Sequence, residues 1–236
     1  LSLERARACR ENTKASGKPV MIGFNRRFDP NFSAMKASLD AGEIGKPELL
    51  SITSFDPAPP AVAYIKVSGG LFRDMMIHDF DMANFMMGEA PVSIMAAGSS
   101  IVDAEIGAAG DVDTAAVTMT YADGRICVIK NSRRAVYGYD QRVELLGAEG
   151  LLQAQNMLEN TLVKSTAAGV TGAKPTYFFL ERYMPSYAKE WGAFVDALTG
   201  GTALPVTLDD GITALAMAEA ATTSSKTGQP VRLADV

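Results

Sequence analysis

Three titratable residues share one face of a predicted apolar helix. Asp74, His78 and Asp81 occur at positions i, i+4 and i+7 of residues 74–87, where most of the other residues are Met, Ile, Phe or Ala. This spacing places them within two helical turns of one another. Burying carboxylates beside an imidazole is unfavourable unless they pair or line a polar cavity, so the pattern is typical of a general acid–base site.

The same three residues allow two other interpretations. An Asp–His pair on a helix is often a structural ion pair, and spacing alone leaves this alternative open. A metal site would have suitable ligand types, but all three ligands would come from one helix. A histidine-rich zinc site is excluded because the sequence has one histidine and no cysteine cluster. We therefore predict no metal site.

Further polar residues lie at the ends of predicted strands. Arg26 and Arg27 come soon after the apolar run 20–24. The carboxyl ends of parallel strands are where open α/β sheets bind ligands, although a surface ion pair is the alternative. Tyr137 and Tyr139 open another strand, and their hydroxyls are suited to contact a polyol. The alternative for the tyrosines is aromatic packing at a strand edge.

The elements that must position these residues fall into two groups. A helix over 3–15 and a buried parallel strand over 20–24 form a βα unit, which a helix from Asp29 to about residue 41 follows. Strands are then predicted over 48–55, 92–99, 114–121, 125–132, 141–146, 151–155 and 161–165, helices over 74–87, 184–198 and 209–226, and a loop over 56–70. Closely spaced strands with hairpin turns indicate an antiparallel sheet.

The predicted fold class is therefore α/β. A remnant βα unit, similar to the end of a doubly wound domain, precedes an α+β body whose large, mostly antiparallel open sheet is flanked by helices. The GxGxxG loop that would begin a dinucleotide-binding domain does not occur in the sequence.

The composition narrows the classes of function. The 236 residues include 22 Lys and Arg against 27 Asp and Glu, a net charge of −5, which argues against nucleic-acid binding. No apolar run approaches the roughly 18–20 residues that span a bilayer, so no membrane contact is expected. Cys9 and Cys127 form no recognisable motif, which favours reduced thiols and a cytoplasmic location.

Four stretches carry a resemblance to a known family. They are residues 23–29 (GFNRRFD), 42–47 (GEIGKP), 68–81 (SGGLFRDMMIHDFD) and 137–141 (YGYDQ). In this order the chain resembles the Gfo/Idh/MocA group of NAD(P)-dependent oxidoreductases, and within it the inositol dehydrogenases. The DxxxH element inside an apolar helix is fairly specific, and YGYD narrows the resemblance to the inositol enzymes.

The resemblance implies a reaction and a site. The implied substrate is a cyclic polyol similar to myo-inositol, and the implied cofactor is NAD, with NADP as the alternative. His78 would take the hydroxyl proton as general base while hydride leaves the same carbon, and Asp74 would orient His78. Asp56 departs from the Asn of some relatives. The residues that match or neighbour pocket positions are Arg26, Asp56, Asp81, Tyr137 and Tyr139.

The resemblance also implies two domains. Residues 1–24 would be a remnant of the dinucleotide-binding domain, and residues 25–236 a substrate-binding domain that forms homodimers or homotetramers through its sheet. The family's Glu-Lys-Pro motif, with its catalytic lysine, would lie just before Leu1, so we expect the C-terminal part of an enzyme, inactive by itself. The alternatives are a non-catalytic oligomerisation or ligand-binding domain and a related sugar dehydrogenase.

Overall fold

A large sheet organises the computed structural model, which describes residues 2–236; Leu1, where the predicted segment 1–24 begins, lies outside the described residues. The strands are Pro47–Phe55 (β1), Ser93–Ser99 (β2), Thr114–Thr120 (β3), Ile126–Ser132 (β4), Asp140–Gly147 (β5), Gly150–Ala154 (β6), Val163–Thr166 (β7), Gly169–Gly172 (β8) and Val231–Arg232 (β9). Seven of them form one sheet in the order β6-β5-β1-β4-β3-β2-β9, and β7 pairs with β8 in a separate hairpin. β1 and β4 run parallel, whereas every other pair of neighbouring strands in the described residues is antiparallel.

Eight α-helices are present within residues 2–236. They are Leu3–Ser16 (α1), Pro30–Asp40 (α2), Val62–Ser68 (α3), Leu71–Asp74 (α4), Ile77–Met87 (α5), Ala104–Ala108 (α6), Phe179–Gly200 (α7) and Leu208–Thr227 (α8), with short 3-10 helices at Asn25–Phe28 and Leu233–Asp235. Asp29 caps α2 by accepting hydrogen bonds from the first N–H groups, and Pro30 supplies the first turn, as the sequence predicts. None of the helices described is long and apolar enough to cross a bilayer.

The helices cover one face of the sheet and leave the other open. α8 packs on β2 and on α5, and α5 packs on β1. β3 shows the consequence, because Ala115, Val117 and Met119 are buried while the residues between them are exposed. The large, mostly antiparallel sheet flanked by helices confirms the predicted fold class.

Two predictions of secondary structure are wrong, the strand over residues 20–24 and the loop over residues 56–70. Residues 20–24 are not a strand, because nothing in the described chain lies beside them to complete a hydrogen-bonded ladder. The predicted loop 56–70 contains a helix, α3, in which Ile65 is buried and Tyr64 is about half exposed.

The predicted single helix over 74–87 is also wrong. The N–H groups of Met75 and Met76 both donate to the carbonyl of Leu71, which ends α4, and α5 begins only at Ile77. Asp74 and His78 therefore lie on two different helices.

Candidate active site

A cavity of about 540 Å³ opens where the 3-10 helix, the end of β1, α4–α5 and the beginning of α7 meet. It collects residues that are far apart in the sequence. Five of the seven predicted site residues line it: Arg26, Asp56, Asp74, His78 and Tyr139. Apolar and aromatic walls with a few convergent polar groups are typical of sites for small molecules.

The imidazole of His78 is partly buried and forms no hydrogen bond with the described residues. Its Nδ1 is buried without a partner, and its ring meets that of Phe24 edge to face, with 6.0 Å between the centroids. Burial, assisted by the positive charge of Arg26, lowers the pKa of His78 from 6.5 to about 3. The ring is therefore neutral around pH 7, the form that accepts a proton.

Asp74 is held by partners other than His78. The hydroxyl of Tyr64 donates to Oδ1 at 2.5 Å, and Nη2 of Arg133 donates to Oδ2 at 3.1 Å. No hydrogen bond joins Asp74 to His78 among the residues described, because the turn between α4 and α5 separates them. The structure thus brings the predicted pair to one cavity without the contact through which Asp74 would orient the ring.

Arg26 enters the cavity from a buried polar network. Its Nη1 donates to Oδ1 of Asp79, and the other oxygen of Asp79 accepts from Asn131 at 2.8 Å. Its Nη2 lies 3.4 Å from the hydroxyl of Ser54, which also contacts Gln141. Burial raises the pKa of Asp79, and the charge of Arg26 opposes that shift.

Asp56 and Tyr139 supply the remaining predicted polar groups of the cavity. Burial raises the pKa of Asp56 from 3.8 to about 6, although Arg133 and Arg26 oppose the shift. Tyr139 is buried, and this burial raises the pKa of its hydroxyl well above 10.0. The tyrosine is therefore a neutral hydrogen-bonding group, whereas Asp56 changes charge near neutral pH.

Two predicted site residues lie outside the cavity. Asp81 does not line the cavity but pairs with Arg27, and burial raises the pKa of its carboxyl to about 6. Its carboxyl is occupied by the guanidinium of Arg27, which contacts both of its oxygens. Tyr137 is about half exposed, and its hydroxyl donates to Asp140 at 2.5 Å.

Several residues of the site are absent from the sequence predictions. Tyr64 lies in a segment predicted to be a loop, and Arg133 follows β4 without a recognisable motif. Asp79 carried a usable signal, because a third acidic residue on an apolar helix needs a buried partner. The aromatic side of the cavity, which includes Tyr183 and Tyr187 of α7, has no pattern that distinguishes it from core packing.

A sequence model described as the GFO/IDH/MocA C-terminal domain matches residues 32–153, just over half of the chain. The chain belongs to the Gfo/Idh/MocA family. The match includes the cavity residues that follow β1 and those on α4 and α5, so the family's C-terminal domain supplies most of the site described above. This confirms the resemblance seen in the sequence.

Several relatives that resemble this chain are named inositol dehydrogenases. The chain is 49% identical to myo-inositol 2-dehydrogenase from Thermotoga maritima over 226 residues, 96% of this chain and 68% of that protein. A crystal structure of myo-inositol dehydrogenase from Corynebacterium glutamicum matches with a TM-score of 0.94 and 42% identity, covering 98% of this chain and 70% of that one. Scyllo-inositol dehydrogenase from Lactobacillus casei, with bound NAD(H) and scyllo-inositol, matches with a TM-score of 0.90 and 26% identity, covering 99% and 71%.

Proposed function

We propose that this protein oxidises a hydroxyl group of a cyclic polyol similar to myo-inositol to a ketone, with NAD as hydride acceptor. The observation that carries the proposal is an imidazole whose Nδ1 is buried without a partner among residues 2–236, at a cavity lined by carboxyl, guanidinium and phenol groups. Such groups can donate to and accept from several hydroxyls at once. The inositol dehydrogenases among the relatives support the same substrate class.

His78 is the proposed general base. Because Nδ1 is enclosed, Nε2 is the nitrogen that faces the cavity, and it takes the proton of the reacting hydroxyl. The same burial that keeps the ring neutral disfavours the imidazolium that then forms. Asp56 and Asp74 line the same cavity, and their negative charge offsets that cost.

The remaining cavity groups are proposed to bind and orient the polyol. Arg26 donates from its guanidinium, Asp56 accepts from a hydroxyl, and Tyr139 can do both. Asp74, fixed by Tyr64 and Arg133, is proposed to act on the ring of His78 through its field or after a rearrangement on substrate binding. We do not place Asp81 or Tyr137 in direct contact with the polyol, since both lie outside the cavity.

NAD, when bound, supplies the hydride acceptor. The unpartnered imidazole and the open cavity fit the reacting end of such a cofactor, but residues 1–236 include no glycine-rich phosphate loop. We therefore propose that residues 1–24 belong to a dinucleotide-binding domain, residues 25–236 form the substrate domain, and NAD is bound mainly by sequence outside these 236 residues. NADP is the alternative, because the residues that read the ribose are likewise outside them.

The open face of the sheet is proposed to join copies of this chain. Leu151, Leu146, Leu49 and Ile126 are neighbours in register across β6, β5, β1 and β4, and each is about 40–50% exposed. Such a row favours a homodimer or homotetramer by sheet-on-sheet packing. Leu146→Glu is expected to give monomers in sedimentation experiments, and an unchanged assembly would move the interface elsewhere. We also propose that the protein is located in the cytoplasm.

The test of the function is NADH formation by the complete protein with a panel of neutral ring compounds. We expect myo-inositol or scyllo-inositol to support turnover, with an inosose as the oxidised product. Turnover with aldoses alone would favour a related sugar dehydrogenase. Absence of NADH formation with every member of the panel would exclude the proposed function.

A further inference from the structure

The buried ion pair between Arg26 and Asp79 lies beside the cavity, and Asp79 has a second hydrogen-bond donor in Asn131. Both oxygens of Asp79 accept hydrogen bonds, one from Arg26 and the other from Asn131, so neither is free to carry a proton towards a neighbour. The guanidinium stays protonated at every accessible pH. Asp79 is completely buried and Arg26 is 6% exposed, so the two charges neutralise each other out of reach of solvent.

Among residues 2–236, both arginines that line the cavity are paired with carboxylates. Arg26 is paired with Asp79, and Arg133, the other arginine of the lining, is paired with Asp74. Asp56 remains as a carboxyl group whose side chain has no hydrogen-bonded partner among residues 2–236. A ligand that brings a negative charge would therefore meet a surplus of carboxylate.

We propose that Asp79 is a specificity-determining residue that makes the cavity select uncharged polyols over anionic ring compounds. The inference rests on the proposed polyol site and adds the charge class of its substrate. An arginine at the floor of a cavity would otherwise be the preferred partner of a ligand carboxylate, which it binds with two parallel hydrogen bonds. Asp79 takes the place of a ligand carboxylate as the charged partner of Arg26. The guanidinium can then still donate hydrogen bonds to neutral hydroxyl groups of a ligand.

The substitution Asp79→Asn tests the charge with little change of shape. Oδ1 of Asn131 is buried without a partner, so the Asn131 amide can rotate and accept from the new amide at position 79. Hydrogen bonding is then kept and only the negative charge is lost. Asp79→Ser, which leaves room for a water molecule beside Arg26, is studied in parallel in case the first variant does not fold.

The experiment is calorimetric titration of the complete protein with myo-inositol and with quinate, a carbocyclic polyol acid. Saturating NADH is present so that neither ligand is turned over. The matched control is Asp29→Asn, which removes the charge from another fully buried Arg–Asp pair, with Arg182, outside the cavity. Asn remains a good helix cap at that position.

We expect Asp79→Asn to tighten quinate binding by about tenfold or more and to change myo-inositol binding by less than about threefold. Asp29→Asn lowers thermal stability but leaves the ratio of the two affinities unchanged. The double variant Arg26→Gln, Asp79→Asn loses the gain for quinate, because the gain requires the freed guanidinium.

Equal effects on both ligands, or no gain for quinate in either variant at position 79, would overturn the inference. Its failure is separate from failure of the proposed function. A wild-type protein without polyol-dependent NADH formation excludes the function, whereas a gain for quinate in the same preparation still supports the role of Asp79.

Discussion

The lowered pKa of the His78 imidazole makes folding stability depend on pH. The folded pKa is about 3 and the unfolded pKa is 6.5, so below about pH 6.5 the unfolded chain binds a proton that the folded chain does not. Stability from this group is fully present above pH 6.5 and is lost as the pH falls towards 3. Between about pH 8 and pH 5 the loss amounts to about 2 kcal/mol.

His78→Gln removes this dependence. Asp56 and Asp81 also titrate in the same range, with the opposite sign, but they do so in both proteins and cancel in the comparison. Urea unfolding of the wild type and the variant at about pH 8 and pH 5 measures the difference. The stability advantage of the wild type over the variant is expected to shrink by about 2 kcal/mol at the lower pH. An advantage that is equal at both pH values would show that His78 titrates normally, and the argument for a neutral base would fail.

Four substitutions at and near the cavity have separate expected outcomes. The wild-type kcat/KM for myo-inositol should fall as the pH drops through about 6, where Asp56 takes up a proton, and Asp56→Asn should flatten that part of the profile. Tyr64→Phe removes one of the two hydrogen-bond partners of Asp74 and should lower kcat several-fold. The free energy of unfolding in urea should fall by about 1 kcal/mol. Unchanged kinetics would show that the contact is purely structural. Tyr139→Phe should raise KM at least about threefold and Tyr137→Phe less than about twofold, because only the Tyr139 hydroxyl lines the cavity and can reach a ligand. Equal effects of the two substitutions on KM would contradict the placement of Tyr139 inside the cavity and Tyr137 outside it.

The fold could largely be predicted from the sequence. Apolar runs bounded by turn residues predict the strands β2 to β6 to within one residue at each end, and Asp29-Pro30 predicts the start of α2. These signals are local and depend on two to four neighbouring residues. The segment 20–24 shows the limit of this reasoning, because an apolar run becomes a strand only when another strand pairs with it.

The site was less predictable because its geometry depends on contacts between distant segments. The spacing of Asp74 and His78 indicates one helix face, but two N–H groups sharing the carbonyl of Leu71 divide that helix. Arg26 was expected near a ligand, yet its partner Asp79 lies 53 positions further on and has no local signal in common with it. Asp81 pairs with Arg27 instead of lining the cavity, and spacing along the helix does not reveal that partner.

The most direct test of the account is the turnover of myo-inositol by wild-type protein and by His78→Gln. We expect NADH formation by the wild type and a loss of kcat of about a hundredfold or more in the variant, the usual size of a general-base contribution. Binding of myo-inositol in the presence of NADH should change by less than about threefold, because the change removes a proton acceptor and leaves the other cavity groups in place. A variant that turns over at the wild-type rate, or a wild type that forms no NADH, would contradict the account.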